Sequence, residues 1–450
     1  MQDNSNKILV ESIKRLLRRD ALSHLKKIVN KTHAADLSVV FRSLSHSNQH
    51  KLFQMIEDVE QKCILLSEFE ENTLLDFVKD LDLDHLVAIL ESMPADDAAD
   101  LIGKLSEEHG DAILEKMKQE GSDEVEGLLH YGNDTAGGIM VPDFIALKEE
   151  TTAGDAILSL QKEHLDVEMP FYLYVVDEYG KLMGVCSLRQ LVVVKPDTPL
   201  KKFMTRDVFS VTTDTDQEEV AKIVARYDIL AVPVVDETSK LVGIVTVDDV
   251  IDIFRKEATE DILKMAGAGD DFVETQSVLK STKRRLPWLF ASCIGGIIAV
   301  IIISGFEDSL NKLAYLAAFI PVVMGMGGNI GTQSSTIVVR GLATGRFIIK
   351  DTWSVVFKEL LIGGILGLVY GVLIALAANF QYGKEMFAAA VGLSVLCSMS
   401  VAALVGSLAP MLFARIDIDP AVATGPFVTT AIDIISVFFY FKIAVTFLGI

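Results

Sequence analysis

Cysteine is scarce in this chain, and no two cysteines lie close together. The 450 residues include four, Cys63, Cys186, Cys293 and Cys397, without a CxxC pair. This spacing indicates neither a disulfide framework nor a thiolate metal site. The polar start of the chain lacks the charged and then apolar arrangement of a signal peptide, so we expect the soluble part to stay in the cytoplasm. No P-loop motif indicates ATP hydrolysis, and we do not expect an enzyme.

Basic residues are also in short supply. The chain has 41 Lys and Arg against 62 Asp and Glu, and a net charge of −21 at pH 7. Residues 277–450 contain 12 basic and 8 acidic residues, which leaves 29 basic and 54 acidic residues for the first 276. The acidity of that part argues against nucleic acid as a partner and suits a domain that meets cations, although ordinary solubility explains it as well.

Residues 1–132 are predicted to form an all-α domain of helical repeats. Apolar residues recur at intervals of 24 in two series: Phe41, Leu65 and Ile89, and Phe53, Phe77 and Leu101. This spacing is typical of stacked helical pairs in a small solenoid. The repeat is predicted to end at residues 93–100, where Pro94 can begin a helix. Asp96 and Asp100 lie one turn apart there, which suits either a bound cation or a solvated acidic helix start.

Residues 133–258 contain a tandem repeat in which Gly184 of the first copy matches Gly243 of the second. The repeat resembles a pair of CBS modules, an α/β fold in which the pattern G-h-x-[ST]-x-x-D opens the closing helix. The second copy has Gly243, Thr246 and Asp249, whereas the first has Gln190 at the acidic position. Some CBS pairs bind adenine nucleotides and others do not. If ATP binds here, the residues implied are Thr246 and Asp249.

Residues 259–284 are predicted to form a helix that connects the CBS pair to the rest of the chain. Acidic residues crowd the approach to this helix: Asp249, Asp252, Glu257, Glu260 and Asp261. If the CBS pair is a sensor, a change in its conformation must reach the membrane domain through this segment.

Residues 285–450 are predicted to form a transmembrane domain of five helices. Five apolar segments are long enough to cross a bilayer, at 287–305, 313–339, 353–378, 386–413 and 421–449. Basic residues concentrate in alternate connections: Lys283, Arg284, Arg285, Arg340, Arg346, Lys350 and Arg415. The opposite connections carry only Lys312 and Lys384. The positive-inside rule therefore places the N-terminus in the cytoplasm and the C-terminus outside.

One carboxylate, Asp433, lies near the middle of the last apolar segment. An aspartate near the bilayer centre costs roughly 2.5–3.5 kcal/mol, so it should face protein or water and mark an ion or substrate path. Pro426, Thr429 and Ser436 share its helix face, which predicts a proline bend and a polar stripe along a pore. The alternative is an ion pair inside a helix bundle, for which Lys442 is the nearest later basic residue.

Glycine and amide residues interrupt the second apolar segment between residues 325 and 333. Irregular backbone at membrane depth is tolerated where it lines a cavity or is buried in protein. The side chains of Asn329, Thr332 and Gln333 bring oxygen atoms that suit a hydrated cation. Tight helix packing through small residues is the alternative, and we expect it for part of this run.

Several segments together resemble the MgtE magnesium channel family over essentially the whole chain. These are GGNIGTQSSTIVVRGLATG, DPAVATGPFVTTAID, LHYGNDTAGGIM, PADDAAD and the CBS pair. The resemblance implies a homodimer whose ten helices surround one pore on the twofold axis. It also implies cytoplasmic domains that sense Mg²⁺ and a connecting helix that shuts the pore when Mg²⁺ is abundant.

The resemblance assigns roles to individual residues. The implied pore residues are Asp433, Gly325, Gly328 and Thr332. The implied regulatory Mg²⁺ ligands are Asp96, Asp100, Gly137 through its carbonyl, Asp249, Asp252, Glu257, Glu260, Asp261 and Asp419. Asp249 is claimed both as a metal ligand and as a nucleotide contact, and the sequence does not decide between them.

The predicted function is a Mg²⁺-selective, Mg²⁺-gated channel that takes up magnesium across the cell membrane, with lipid around its helices. Ions that bridge the acidic faces would favour the closed state. One alternative is a CBS-regulated, proton-coupled secondary transporter of divalent cations, with Asp433 as the proton carrier. A membrane-anchored receptor without transport is a third candidate, which the interrupted second segment disfavours.

Overall fold

The computed structural model of the chain describes residues 2–69, 71–162, 171–268 and 278–449. These residues belong to two compact units, Met1–Ile253 and Phe254–Ile450. Each unit has its own hydrophobic core.

The first part of unit 1 is helical, as predicted. Its described residues form the helices α1 Gln2–Arg18, α2 Leu22–Val29, α3 Ala34–Arg42, α4 His46–Phe53, α5 Val59–Ser67, α6 Glu71–Lys79, α7 Leu83–Leu90, α8 Ala95–Gly103, α9 Glu107–Leu114 and α10 Gln119–Leu129. The side chains of His33 and Asp58 accept hydrogen bonds from first-turn N–H groups of α3 and α5. Such caps satisfy donors that the start of a helix leaves unpaired.

The 24-residue repeat is confirmed and is longer than predicted. The six residues of the two series are at most 3 % exposed, so each marks the buried side of a helix. The series continue with Ile113 in α9 and Val125 in α10, which are also buried. The prediction that the repeat ends at residues 93–100 was therefore wrong. That segment opens α8, and another helical pair is stacked after it.

The second part of unit 1 holds two similar α/β modules. The first contains β1 Ala146–Lys148, α11 Ala153–Lys162, β2 Tyr172–Val176, β3 Leu182–Ser187 and α12 Leu188–Val193. The second contains β4 Val211–Thr212, α13 Gln217–Tyr227, β5 Ala231–Val235, β6 Leu241–Thr246 and α14 Val247–Met265. In each three-stranded sheet, the first strand pairs parallel with the second, and the second pairs antiparallel with the third.

The strand register confirms the tandem repeat. Val175 pairs with Gly184 in the first sheet, and Val234 pairs with Gly243 in the second. The turns of the two hairpins also exchange hydrogen bonds, from Leu182 N to Ser239 O at 3.2 Å and from Leu241 N to Gly180 O at 3.0 Å. These reciprocal bonds relate the two modules by an approximate twofold symmetry.

One hydrophobic core links the helical repeat to the second module. Buried residues of this core run from Ile13 in α1 to Val250 and Ile253 in α14. The first module has smaller cores of its own. The shared core places α8 and the start of α14 in one packed body.

The predicted connecting segment does not form one separate helix in the described residues. Residues 259–265 belong to α14, which begins in the second CBS module, and residues 278–284 belong to the next helix. Residues 269–277 lie outside the described part of the chain. The domain boundaries of the sequence analysis stay predictions.

Unit 2 contains helices that are long and apolar enough to cross a membrane. Its helices after α14 are α15 Val278–Ser304, α16 Glu307–Lys312, α17 Ile320–Ala343, α18 Thr352–Tyr382, α19 Glu385–Arg415 and α20 Gly425–Leu448. Short 3-10 turns precede α17, α18 and α20. In the described ranges, five candidate membrane spans cover Ser281–Ser304, Ala314–Ala343, Ile349–Tyr382, Glu385–Arg415 and Pro420–Leu448. All five predicted segments lie on these helices.

Small residues let the backbones of α17, α18 and α19 approach one another. Gly363, Gly367 and Gly371 recur every four residues on α18 and face α19, where a Cβ at Gly371 would lie 2.6 Å from Gly392 O. A Cβ at Gly406 of α19 would lie 2.3 Å from Gly331 O of α17. Small residues spaced four apart are typical of membrane helices that pack closely together.

Candidate functional site

Asp433 lies two turns into α20 and is half-buried. Across the part of the chain that the structure describes, Asp433 forms no hydrogen bond or ion pair. The alternative of a neutralising amine is therefore not supported, and Lys442 does not pair with it. Pro426 lies in the first turn of α20, so it begins the helix rather than bending it as predicted.

The predicted polar stripe on α20 is partly wrong. Ser436 is 1 % exposed, and its hydroxyl lies 2.6 Å from the hydroxyl of Ser398 on α19. The Thr429 hydroxyl donates back to Gly425 O and Pro426 O of its own helix. Ser436 therefore packs inside the helix bundle, because the face three residues beyond Asp433 meets α17 and α19.

The glycines of α17 divide into two kinds. A Cβ at Gly327 would lie 2.6 Å from Ser398 Oγ, and a Cβ at Gly331 would lie 2.0 Å from Ile432 Cδ1. These two glycines serve helix packing. In contrast, within the described part of the chain, a Cβ at Gly325 would meet no atom within 4 Å, and a Cβ at Gly328 would meet only Asp433 Oδ1 at 3.9 Å. Gly325 and Gly328, which the family resemblance assigns to the pore, are therefore the two of these four glycines with space beside them.

An open polar face of α17 thus adjoins Asp433. Thr332 is exposed, and its hydroxyl donates to Gly328 O at 2.9 Å. Gly325, Asn329 and Gln333 are exposed as well. Hydroxyl, amide and backbone oxygens beside a carboxylate are ligands suited to a hydrated Mg²⁺ ion, which keeps several of its waters.

Sequence reasoning missed a second buried carboxylate among the membrane helices. Glu359 of α18 is 5 % exposed, and Ser334 of α17 donates a hydrogen bond to its Oε2 at 2.8 Å. Its position next to Lys358, near the start of the third apolar segment, resembles an ordinary helix-end charge in sequence. Only the packing of α17 against α18 shows that it is buried.

In unit 1, the acidic start of α8 lies beside the start of α14. Burial raises the pKa of Asp97 to about 6, and Asp100, Asp252 and Asp248 repel its charge as well. Burial also raises the pKa of Asp249 to about 6, with further repulsion from Asp248 and Asp97. Clustered carboxylates favour a cation between them. The sequence analysis assigned Asp100, Asp249 and Asp252 to this role but missed Asp97 and Asp248.

The two predicted acids of α8 differ in exposure: Asp100 is exposed, whereas Asp96 is half-buried and its Oδ1 atom is fully buried. Asp96 precedes Asp97 in the first turn, and Asp100 pairs with Lys104 one turn later, at 3.7 Å. Among the described residues, no three of the predicted regulatory acids bring one ligand atom each within 4.8 Å of one another. The structure therefore brings these carboxylates near one another but does not arrange them as a complete set of metal ligands.

Asp249 is held by the residue that was predicted to share a nucleotide site with it. Thr246 is 3 % exposed, and its hydroxyl donates to Asp249 Oδ2 at 2.5 Å. At the same place in the first module, Ser187 and Gln190 form a reciprocal capping box at the start of α12. The first module thus uses Gln190 to begin a helix.

In unit 2, a lysine joins two of the predicted regulatory acids. Lys264 Nζ lies 2.6 Å from Asp419 Oδ2 and also pairs with Glu260 one turn earlier on α14. Burial alone would lower the pKa of Lys264, but its hydrogen bonds with Asp419 and Glu260 raise it. Glu257 and Asp261, the two other predicted acids here, lie on the same helix.

The end of α14 rests against the start of α20. A Cβ at Gly425 would lie 2.9 Å from Met265 O. Gly267 has φ +66°, and a Cβ there would lie 2.9 Å from Pro426 Cγ. The helix that carries Glu260 therefore touches the first turn of the helix that carries Asp433.

Gly137 has a structural reason to be glycine. Its N–H donates to Thr213 O at 2.9 Å, and a Cβ would lie 2.6 Å from the ring of Tyr131. These contacts hold the junction between the helical repeat and the CBS pair. The predicted role of the Gly137 carbonyl stays a prediction.

Together these features define a class of protein: a CBS-bearing polytopic membrane protein with a carboxylate beside an open polar face of its helix bundle. Family models agree with each part. The model described as the MgtE divalent cation transporter matches residues 320–443, the MgtE intracellular N domain matches 32–134, and the CBS domain matches 136–197 and 200–256.

Relatives that match most of the chain identify the family. The chain is 33 % identical over 435 residues to a magnesium transporter MgtE of Bacillus subtilis, with 96 % of each chain covered. It is 40 % identical over 324 residues to the magnesium transporter MgtE of Thermus thermophilus, covering 71 % of this chain and 72 % of the relative. The chain belongs to the MgtE family.

A solved structure resembles the soluble part. It is described as the cytosolic domain of the Mg²⁺ channel MgtE in complex with ATP, and it is 34 % identical with a TM-score of 0.52. The match covers 54 % of this chain and 99 % of that one.

Proposed function

We propose that this protein is a Mg²⁺-selective channel that admits magnesium down its electrochemical gradient and closes when Mg²⁺ binds its acidic soluble domains. The observation that carries the proposal is Asp433, a half-buried carboxylate that the described residues leave without a protein partner, beside Gly328 and the open face of α17. Relatives at 33 and 40 % identity are named magnesium transporters.

The cargo follows from the chemistry of the proposed pore. Mg²⁺ is a hard cation that prefers six oxygen ligands and gives up its waters reluctantly. One carboxylate with hydroxyl and backbone oxygens suits an ion that passes largely hydrated, held through its waters. Gly325 and Gly328 would leave the width for that hydration shell, and the Thr332 hydroxyl would lie at its edge.

Two copies would complete the pore. In the single chain, Gly325, Asn329, Thr332 and Gln333 are exposed on α17, a helix that is long and apolar enough to cross a membrane. Polar groups that face lipid are costly, so this face should meet water or protein. A homodimer could place the two α17 faces and the two Asp433 residues around one axis. The polar groups would then meet water and protein, and lipid would lie against the apolar outer faces.

The orientation is proposed from the distribution of basic residues. Lys283, Arg284 and Arg285 lie at the start of the first candidate span. Arg340 lies in the last turn of the second, and Arg346 follows it. This bias places the soluble domains in the cytoplasm and, with five spans, the C-terminus outside.

Closure would follow from differential binding. Asp97, Asp248, Asp249 and Asp252 repel one another, and a divalent ion between them would favour the packed arrangement of the helical repeat and the CBS pair. In unit 2, Glu260 and Asp419 already share the ammonium of Lys264. Ions that add to these carboxylates would hold the end of α14 against the start of α20.

Adenine nucleotide is proposed as a second ligand of the soluble part. The solved relative with 34 % identity is in complex with ATP. In the second module, Thr246 and Asp249 occupy the [ST] and D positions of the CBS pattern G-h-x-[ST]-x-x-D. In the first module, Gln190 stands at the D position and forms a capping box instead. Asp249 would then serve the metal or the nucleotide, which makes the two ligands interdependent.

Electrical recording from proteoliposomes tests the proposed function. A Mg²⁺ channel gives a current that reverses at the Mg²⁺ equilibrium potential and that is independent of a pH gradient. Cytosolic-side Mg²⁺ should then reduce the open probability. A flux that a pH gradient drives uphill would instead establish the proton-coupled transporter, and ligand binding without any flux would establish a receptor.

A further inference from the structure

Three side chains of the helical repeat converge at a place that the proposed magnesium sites do not include. His46 and His50 lie one turn apart on α4, and Asp80 directly follows α6. His46 Nδ1 and His50 Nε2 each lie 3.7 Å from Asp80 Oδ2. Among the described residues, this is the one group in which three His, Cys, Asp or Glu side chains each bring a ligand atom within 4.8 Å of the others.

The distances suit direct coordination of a metal ion. Zn²⁺ binds imidazole nitrogen at about 2.0–2.1 Å and carboxylate oxygen at about 2.0–2.2 Å, so ligand atoms in a tetrahedral shell lie about 3.4 Å apart. Two of the three separations already approach that value. Two histidines at positions i and i+4 of a helix are also a recurrent arrangement for zinc ligands.

The packing around His50 fixes the orientation of its ring. The imidazole stacks on Phe77 with the ring centroids 4.1 Å apart and the planes 11° from parallel. Phe77 is fully buried, so the stack is anchored in the core. The Nε2 atom of His50 is buried and has no hydrogen-bond partner among the residues that the structure describes. A buried nitrogen without a partner is costly, and a metal ion would satisfy it.

The ionisation state of His50 agrees with this geometry. Burial lowers its pKa, His46 lowers it further, and Asp80 opposes the change. A lowered pKa favours the neutral imidazole, which is the form that binds metals.

We infer that His46, His50 and Asp80 form a binding site for a divalent transition metal ion of the Zn²⁺ or Co²⁺ class, with a remaining position open to water. Imidazole suits such ions, whereas Mg²⁺ prefers all-oxygen shells. The site is therefore chemically separate from the proposed magnesium sites and does not depend on them.

Binding would join two repeats of the helical domain. α4 and α6 are equivalent helices of successive 24-residue repeats, and the site links the start of one to the end of the other. In a stack of repeats, stability comes mainly from contacts between neighbours, so a metal at this junction stabilises the domain.

Titration of the full-length, untagged protein in detergent tests the site. Excess Mg²⁺ is kept present to occupy oxygen-rich sites, and Co²⁺ is added as a spectroscopic probe. We expect one Co²⁺ per chain with the intense visible absorption of a four-coordinate ion, and displacement of that signal by Zn²⁺. Zn²⁺ should also raise the melting temperature.

Two variants spare the buried ring. Asp80→Asn and His46→Ala change side chains that are 60 % and 45 % exposed, so the fold should persist. Each should weaken Zn²⁺ binding by at least about tenfold, the lower range for changes around metal ligands. His109→Ala is the matched control, because His109 is exposed on α9 and bonds only to Ser106 in the described residues. Unchanged Zn²⁺ affinity in Asp80→Asn and His46→Ala, or only the weak spectrum of six-coordinate Co²⁺, would overturn the inference.

Discussion

Asp433 and Asp249 are both half-buried carboxylates, but their surroundings differ. Asp249 accepts a hydrogen bond from Thr246 and is repelled by Asp248 and Asp97. Asp433 has open space beside Gly328 and no partner among the described residues. A carboxylate without fixed partners can meet an ion and release it. Carboxylates that repel one another across a packed interface instead change the interface when an ion binds. The comparison suggests that one region conducts and the other senses.

The largest expected effect is at Asp433. Asp433→Asn keeps the shape of the side chain but removes the charge that would attract Mg²⁺ from water, so Mg²⁺ flux into proteoliposomes should fall to the level of empty vesicles. The proposed dimer should persist, with an elution volume in size-exclusion chromatography equal to that of the unmodified protein. Asp308→Asn, an exposed acid on α16, is the matched control and should conduct normally. Normal flux through Asp433→Asn would break the comparison, because the half-buried carboxylate would then not serve conduction.

The next effect concerns the sensing carboxylates. The double variant Asp249→Asn with Asp252→Asn should still conduct but should no longer close at high Mg²⁺, because the ions lose the charges they bridge. Patch recordings of open probability against Mg²⁺ on the soluble-domain side measure this. Asp207→Asn with Glu237→Gln removes two exposed charges from the same module and should leave closure unchanged. Equal responses of the two double variants would mean that overall acidity, not this cluster, controls the channel.

A third effect should come from Lys264. Lys264→Gln removes the ammonium that holds Glu260 and Asp419 together, so their repulsion should favour the open state when Mg²⁺ is low. A hydrogen bond to a charged group contributes about 1.5 kcal/mol or more, which corresponds to about a tenfold change in the ratio of open to closed channels. Saturating Mg²⁺ should still close the variant.

Lys222→Gln provides the control for Lys264, since Lys222 also pairs with a glutamate one turn earlier but lies on α13 of unit 1, where its side chain is 37 % exposed. If Lys264→Gln opened no more often than Lys222→Gln at low Mg²⁺, the contact between α14 and the start of α20 would not contribute to gating.

The smallest expected effect concerns the difference between glycines that serve helix packing and glycines that have open space beside them. Gly406→Ala places a methyl group against the backbone of Gly331, and overpacking of this kind costs about 1–3 kcal/mol. Gly325→Ala meets open space, so the protein should be as stable as the original but conduct Mg²⁺ less well. Thermal unfolding in detergent and vesicle flux measure the two properties. Loss of stability in Gly325→Ala would assign that face of α17 to packing instead.

Much of the fold follows from the sequence, because the patterns that predict it are local. The 24-residue spacing of Phe41 and Leu65 predicts stacked helices, and the match of Gly184 to Gly243 predicts two similar sheets with one register. The position of the last repeat was wrong because the proline and aspartates at residues 94–100 resemble a boundary, although Ile113 and Val125 continue the spacing.

The sites were less predictable because they depend on which helices meet. Nothing in the sequence distinguishes Asp97 from Asp96, and the repulsion of Asp97 by Asp248 and Asp252 depends on the meeting of α8 and α14. Ser436 lies on the predicted stripe of α20, but the packing of α17 and α19 buries it. Similarly, no spacing rule relates Lys264 to Asp419, which are separated by 155 positions in the chain.

The touching backbones of Gly331 and Gly406 leave no clearance for α17 and α19 to slide past each other without separating. Any widening of the proposed permeation path at Asp433 would therefore require these two helices to tilt together, or α20 to shift beside them. α15 packs mainly on α20 and is otherwise largely exposed, so it is the span with the most freedom to follow. The proposed permeation path would then widen as α17 and α19 tilt together as one rigid unit. The end of α14 would drive this movement.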